Sequence, residues 1–171
     1  MFMRFLALAI CTFSLLCIQD AHAATDPGGF LGLKWAQSPA ECQNLGLCSA
    51  ETVSTDDQIN GETVFKGTAE NLDGVPLRFS TFSFKNNKYF LGVASFDSAG
   101  DTFGTLKKAL ISQHGKPRVE SARMASWTVG KTKIQLTDGK KVGGLVYTHV
   151  PTFTEVAKAK KYPLPMTPPK K

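Results

Sequence analysis

The sequence predicts an α+β domain: one antiparallel sheet of about six strands with helices packed on one face, a short C-terminal helix and a disordered tail. Three observations carry this expectation. A stretch in the middle of the chain matches a later one at a shift of 52 positions, a capped helix precedes each copy, and the last fourteen residues change composition abruptly. The folded part, about residues 28 to 157, is one domain's worth of chain and can bury a modest core.

The shift lays FSFKNNKYFLGV (82–93) on IQLTDGKKVGGL (134–145) without a gap. Phe82 meets Ile134, Phe84 meets Leu136, Phe90 meets Val142 and Gly92 meets Gly144. Asn86-Asn87 falls on Asp138-Gly139, residue types that tolerate the positive φ of a two-residue turn. Each copy therefore reads as a β-hairpin.

A further strand and a short helix are expected before each hairpin. Ser38-Pro39-Ala40-Glu41 combines an N-cap serine, a proline at the first helical position and a glutamate at the capping-box position, and Gly46 ends the helix. In the second copy Asp101 or Thr102 caps a helix whose Phe103, Leu106 and Leu110 recur at helical spacing until Gly115 and Pro117 stop it. The unit is helix, strand, strand, strand, used twice over about residues 30–96 and 101–150. Neither unit buries a helix and a meander well alone, so the two are expected to join edge to edge. A last capping box, Thr152 to Glu155, predicts a helix after Pro151.

The strand phases conflict. Leu77 and Phe79 share one phase, Phe82 and Phe84 the other, and Tyr89, Leu91 and Val93 interleave with Phe90 and Phe96. Either a bulge near Ser80-Thr81 switches the phase, or both faces of the sheet carry apolar side chains.

The first 23 residues, MFMRFLALAICTFSLLCIQDAHA, hold one early cation, an apolar run from Phe5 to Ile18 and the small-x-small ending Ala21-His22-Ala23. A secretory signal cleaved after Ala23 is expected. The run of about 14 residues is short for a helix spanning ~30 Å of hydrocarbon. Cys17 follows Leu16 rather than a small residue, against a lipoprotein signal. A periplasmic or secreted location follows, and with it an oxidising compartment.

The mature chain then keeps Cys42 and Cys48. Zinc wants about four ligands, and besides this pair the mature chain offers only the distant His114 and His149. Thioredoxin-like chemistry uses C-x-x-C, whereas this spacing is C-x5-C. A structural disulfide is expected, stabilising by only about 2 kcal/mol because the loop is short.

The tail, KAKKYPLPMTPPKK, holds five lysines (Lys158, Lys160, Lys161, Lys170 and Lys171), four prolines and no acid. Residues 24 to 157 hold fourteen basic residues against thirteen acidic ones, so the basic character belongs to the tail. A nucleic-acid partner is not expected, because its basic stripe would lie on the folded face. The tail is either a solvated extended end or a contact for an anionic surface, at about 1 kcal/mol per lysine.

FLGLKWAQSPAEC, LKKALISQHGKP and SWTVGKTKIQLTDG together resemble segments of small exported bacterial proteins that open on a Phe-x-Gly-Leu/Ile-x-Trp segment and a capped helix. The helix-then-meander unit also resembles the modules of SmpA/OmlA-type envelope proteins and of the two-module β-lactamase inhibitor fold. The resemblance implies architecture and compartment, and assigns no site residue.

Catalytic, metal and cofactor sites are not expected. His114 falls in the last turn of the second helix, where a histidine meets free carbonyls. His149 shares the phase of Leu145 and Tyr147 and reads as a half-buried strand histidine or a site residue. Asp56, Asp57, Asp73, Asp97 and Asp101 fall in turns or caps. The glycines of VGGLV (142–146) mark a bulge or close packing. Trp35 and Trp127 read first as core residues. Should Trp127, Tyr147, Tyr89 and Phe82 share an uncovered face with His149, that patch would suit a protein partner. The expected function is accordingly a non-catalytic exported protein that binds another macromolecule of the cell envelope. The alternatives are an inhibitor of a secreted hydrolase and a carrier of a small hydrophobic ligand.

Overall fold

A computed structural model describes residues 25–54 and 62–160. The expected signal, Asp56-Asp57 and the tail lysines Lys161, Lys170 and Lys171 lie outside the described residues.

The GFLGLKW segment folds as a small hairpin of β1 (Gly29–Phe30) and β2 (Leu33–Lys34). Leu31 and Gly32 make its turn at φ 52° and 89°. Helix α1 (Pro39–Asn44) follows with the expected capping box: Glu41 N donates to Ser38 Oγ, and Ser38 N donates to Glu41 Oε2 at 2.7 Å. Gly46, at φ 68°, turns the chain out of the helix.

Next come β3 (Cys48–Ser54), β4 (Glu62–Gly67), β5 (Asn71–Leu72), β6 (Val75–Lys85) and β7 (Lys88–Asp97). Helix α2 (Thr102–His114) then leads into β8 (Val119–Ser121), β9 (Met124–Val129), β10 (Thr132–Thr137) and β11 (Val142–His149). Helix α3 (Val150–Lys160) begins directly after β11. Asp101 stands at the cap of α2 without a side-chain hydrogen bond to it.

The strands form an antiparallel sheet in the order β3-β4-β6-β7-β11-β10-β9-β8, with β5 paired to β6. Among the described residues this makes nine strands where about six are expected. Edge strand β3 is polar and mostly exposed, β8 has three residues and β5 two, so none carries an apolar alternation a sequence could show.

The two hairpins found by the internal match differ in register. Between β6 and β7, Asn86 and Asn87 form a two-residue turn at φ 48° and 60°. Between β10 and β11 the last pair is Thr137 with Gly144, so Asp138-Gly139 belongs to a longer connection. Asp138 N donates instead to Arg123 O at 2.9 Å, and Val142 and Gly143 pair with Asp97 and Phe96 of β7. The phase switch in β6 also lies earlier than Ser80-Thr81. Register shifts between Leu77 and Phe79, where Arg78 is the extra residue, which leaves Phe79 47% exposed while Phe82 and Phe84 turn inward; a second shift, between Ser83 and Phe84, passes over Phe90 of β7.

At the centre, β7 and β11 set small residues opposite large ones. Gly92 faces Tyr147, Ala94 faces Leu145 and Gly143 faces Phe96. This face carries the main core, with Phe82, Tyr89, Ile134, Leu136 and Trp127 on the strands, Leu106 and Leu110 of α2, and Phe30 and Leu33 of the first hairpin. Full burial of one such side chain contributes roughly 1.5–3 kcal/mol.

The opposite face is apolar as well. Leu91, Val93 and Val146 occupy the alternate phase of β7 and β11, and α3 lies over them. The helices therefore do not share one face, as expected from the sequence: α2 packs on the main core and α3 on the reverse side. Phe90, Val156 and Ala157 are buried outside the main core. Helix α3 starts earlier than its expected capping box because Val150 N already donates to Lys131 O at 2.9 Å and Pro151 has no N–H to satisfy. The helix also absorbs Lys158 and Lys160 from the expected tail.

Cys42 and Cys48 stand at disulfide distance, with Cα atoms 5.6 Å apart, and both are buried. They tie α1 to the start of β3.

Candidate functional site

The alternation of β7 and β11 places Leu91, Val93 and Val146 on the sheet's second face, and β10 adds Lys133 and Gln135 beside them. Above them the first turns of α3 set Val150 and Phe153, leaving a cleft of about 440 Å³ between helix and sheet. Val150 is 38% exposed at its mouth. Lys133 brings a positive charge to the floor, and Lys158 is exposed further along the helix.

A polar network holds α3 at this angle. His149, the residue before the helix, places Nδ1 2.9 Å from Thr152 Oγ1 in its first turn. The imidazole stacks on the Trp35 indole at a centroid separation of 5.7 Å, and the indole stacks on Tyr89 at 4.9 Å. Trp35 Nε1 donates to Thr132 Oγ1 at 2.8 Å, and Thr132 in turn donates to Asp26 Oδ1 at 2.6 Å. Asp26 also accepts from Gly28 N and Lys131 N. Burial would raise the Asp26 carboxyl, but the hydrogen bonds from Thr132, Gly28 and Lys131, aided by His149, outweigh it and hold the group below its ordinary value. Burial, with the Lys131 charge, lowers the His149 imidazole against the opposing pull of Asp26 and Glu155.

On the other face a second cleft, of about 330 Å³, opens between the first hairpin, α2 and the β5–β6 turn. His114 lies in it, with Nε2 3.3 Å from the Tyr147 hydroxyl. Burial lowers the His114 imidazole, and burial followed by the Asp73 charge raises the Tyr147 hydroxyl. Asp73 sits in the turn at φ 49°.

The expected partner-binding residues are brought together, but on the covered face. Trp127, Phe82, Tyr89 and Tyr147 are all buried in the main core, so they present no patch to a partner. The reason is the phase: these side chains point toward α2 and the first hairpin, and Trp127 Nε1 donates to Gly115 O at the end of α2. Burial pushes the Tyr89 hydroxyl well above its ordinary value, with Tyr147 adding to the effect. His149 is half-buried and serves the α3 network. Lys158 is exposed, and Lys160 lies at the end of α3.

The floor of the α3 cleft escaped the sequence reading, although the interleaved Leu91 and Val93 were its visible signal. Asp26 and Thr132 gave none, because a lone aspartate and a strand threonine are common surface residues. Among the described residues no cluster of three His, Cys, Asp or Glu is placed to hold a metal ion, and no helix is long and apolar enough to cross a membrane. Compared with known protein families, curated proteins and solved structures, the chain matches none.

Proposed function

We propose that this chain is an exported, non-catalytic protein of the cell envelope that binds a protein partner through the cleft between α3 and the sheet. The observation that carries the reading is the apolar floor of Leu91, Val93 and Val146, which Val150 and Phe153 roof only in part. An antiparallel sheet that turns one face to water ordinarily makes that face polar. An apolar recess rimmed by polar residues is instead the usual form of an interaction site. Lys133 at the floor and Lys158 on the helix favour an apolar segment of the partner flanked by acidic residues. The tail lysines Lys161, Lys170 and Lys171 extend the basic end in sequence and would add contact with an anionic surface.

Export rests on the signal pattern of residues 1–23 and on the cysteine pair at disulfide distance. The two runs of strands, each following a helix and each ending at the centre of the sheet, support descent from one doubled helix-meander unit. The resemblance to SmpA/OmlA-type and two-module inhibitor architectures fits an accessory or adaptor role.

The test is in-cell cross-linking of the tagged protein beside Val146→Asp and beside a chain ending at Lys160, the last residue of α3. The reading expects one envelope protein, cross-linked through an apolar segment with acidic flanks, whose yield falls at least tenfold with Val146→Asp. Capture that survives Val146→Asp but disappears with the tail would overturn it in favour of binding by the lysines alone.

A further inference from the structure

The α3 cleft also has the build of a small-molecule site. Strand register arranges its floor in two rows across the sheet: Lys133 of β10 faces Thr148 of β11, which faces Leu91 of β7, and Gln135 faces Val146, which faces Val93. The β10 side of the floor is therefore polar and the β7 side apolar, with Phe153 of α3 above. All of these residues are half-buried, so the floor is reached from solvent. At about 440 Å³ the cleft falls within the ~300 to ~1,000 Å³ of small-molecule pockets.

The polar side is short of partners. Among the described residues the side chains of Lys133, Gln135 and Thr148 make no hydrogen bond within the protein, and Lys133 makes no ion pair. Lys133 is also the one charged residue of those that line the cleft. An ammonium half-withdrawn from water beside apolar side chains gains from a counterion held there, and charge-assisted hydrogen bonds are about twice as strong as neutral ones. An ionised carboxylate only accepts, through two oxygens, which suits an ammonium flanked by an amide and a hydroxyl. A single lysine balances a single negative charge, which favours a carboxylate over a doubly charged phosphate.

We infer that this cleft binds a small apolar molecule ending in one carboxylate. The carboxylate pairs with Lys133, with Gln135 and Thr148 as further donors, and the hydrocarbon crosses Val146 toward Leu91 and Val93 beneath Phe153. From β10 to β7 is two strand spacings, about 10 Å, the length of an extended eight-carbon chain. Such a ligand fills the surface proposed for the partner, so each excludes the other. That exclusion rests on the partner reading, whereas binding of the ligand does not.

The experiment titrates the purified protein with octanoate, octan-1-ol and octylammonium, each below the concentration at which it forms micelles, following affinity by calorimetry and the leucine and valine methyls by NMR. Saturable 1:1 binding of octanoate is expected, with the alcohol and the ammonium at least tenfold weaker. The Leu91, Val93 and Val146 methyls should move, and those of Leu110 on the opposite face should stay still. Lys133→Met should bring octanoate down to the level of the alcohol, and Lys133→Glu should reverse the order so that octylammonium binds best. Equal binding of the three probes, octanoate affinity unchanged in Lys133→Met, stationary Val146 methyls or no saturation by octanoate overturns the inference. Octanoate binding without a cross-linked partner would uphold this inference and remove the partner reading, and a cross-linked partner without octanoate binding would do the reverse.

Discussion

Trp35 and Thr132, 97 positions apart in the chain, are joined by a 2.8 Å hydrogen bond from the indole Nε1 to the threonine Oγ1. The same hydroxyl donates to Asp26, so one buried side chain fastens both the N-terminal segment and the Trp35–His149 stack to β10. Thr132→Val keeps the shape but removes both bonds, leaving the indole N–H and a carboxylate oxygen without this partner. A loss of about 1–3 kcal/mol is expected, read as a lower urea midpoint with an unchanged slope. An unchanged midpoint would show that the network contributes nothing.

Asp26 gives this network a pH dependence. Its carboxyl is held below the ordinary value in the folded chain, so the unfolded chain binds its proton first as pH falls. Stability from this group is therefore fully present above the unfolded value of about 3.9 and is lost as pH drops through the folded value. Asp26→Asn should flatten the fall of stability below about pH 4, measured by urea titrations at stepped pH. A steeper fall in the variant would contradict the assignment.

Oxidised protein from its own compartment should weigh two protons less than the reduced chain. Cys42 and Cys48 are buried, so neither should react with a maleimide until the protein is unfolded and reduced. Replacing both with alanine should cost about 2 kcal/mol, the loop-closure term for so short a ring. Labelling of the folded native protein would show free thiols.

Gly92 and Gly144 match in the internal repeat yet face opposite sides of the sheet. A methyl on Gly92 would run into the Tyr89 hydroxyl and the Phe30 ring, whereas one on Gly144 would meet nothing closer than Thr137 Oγ1 at 3.6 Å. Gly92→Ala should destabilise by about 1–3 kcal/mol through overpacking. Gly144→Ala should change stability by no more than about 0.5 kcal/mol. Equal effects in thermal unfolding would contradict the opposed faces.

That contrast also marks how far the sequence could be read. Capping chemistry is local, so Ser38 with Glu41 and the glycine stop at Gly115 placed α1 and α2 correctly. The Asn86-Asn87 turn was equally legible. Register is not local: Asp138-Gly139 looks like a tight turn, but a carbonyl of the β8–β9 turn takes the Asp138 N–H, and the hairpin opens. The same holds for faces. Whether Tyr147 or Val146 turns toward the core depends on which side α2 covers, and alternation alone cannot say so. The aromatics most attractive as a binding patch are therefore the core, and the quieter Leu91, Val93 and Val146 line the open cleft.

The most direct test of the partner surface places a photo-reactive benzoylphenylalanine at Val146, inside the α3 cleft, or at Ser112, exposed on α2 across the molecule. After irradiation of cells, cross-linked partners are identified by mass spectrometry. The proposed function predicts one dominant envelope protein joined at Val146 through an apolar segment with acidic flanks, and no such product from Ser112. The same product from both positions, or none from Val146, would contradict it.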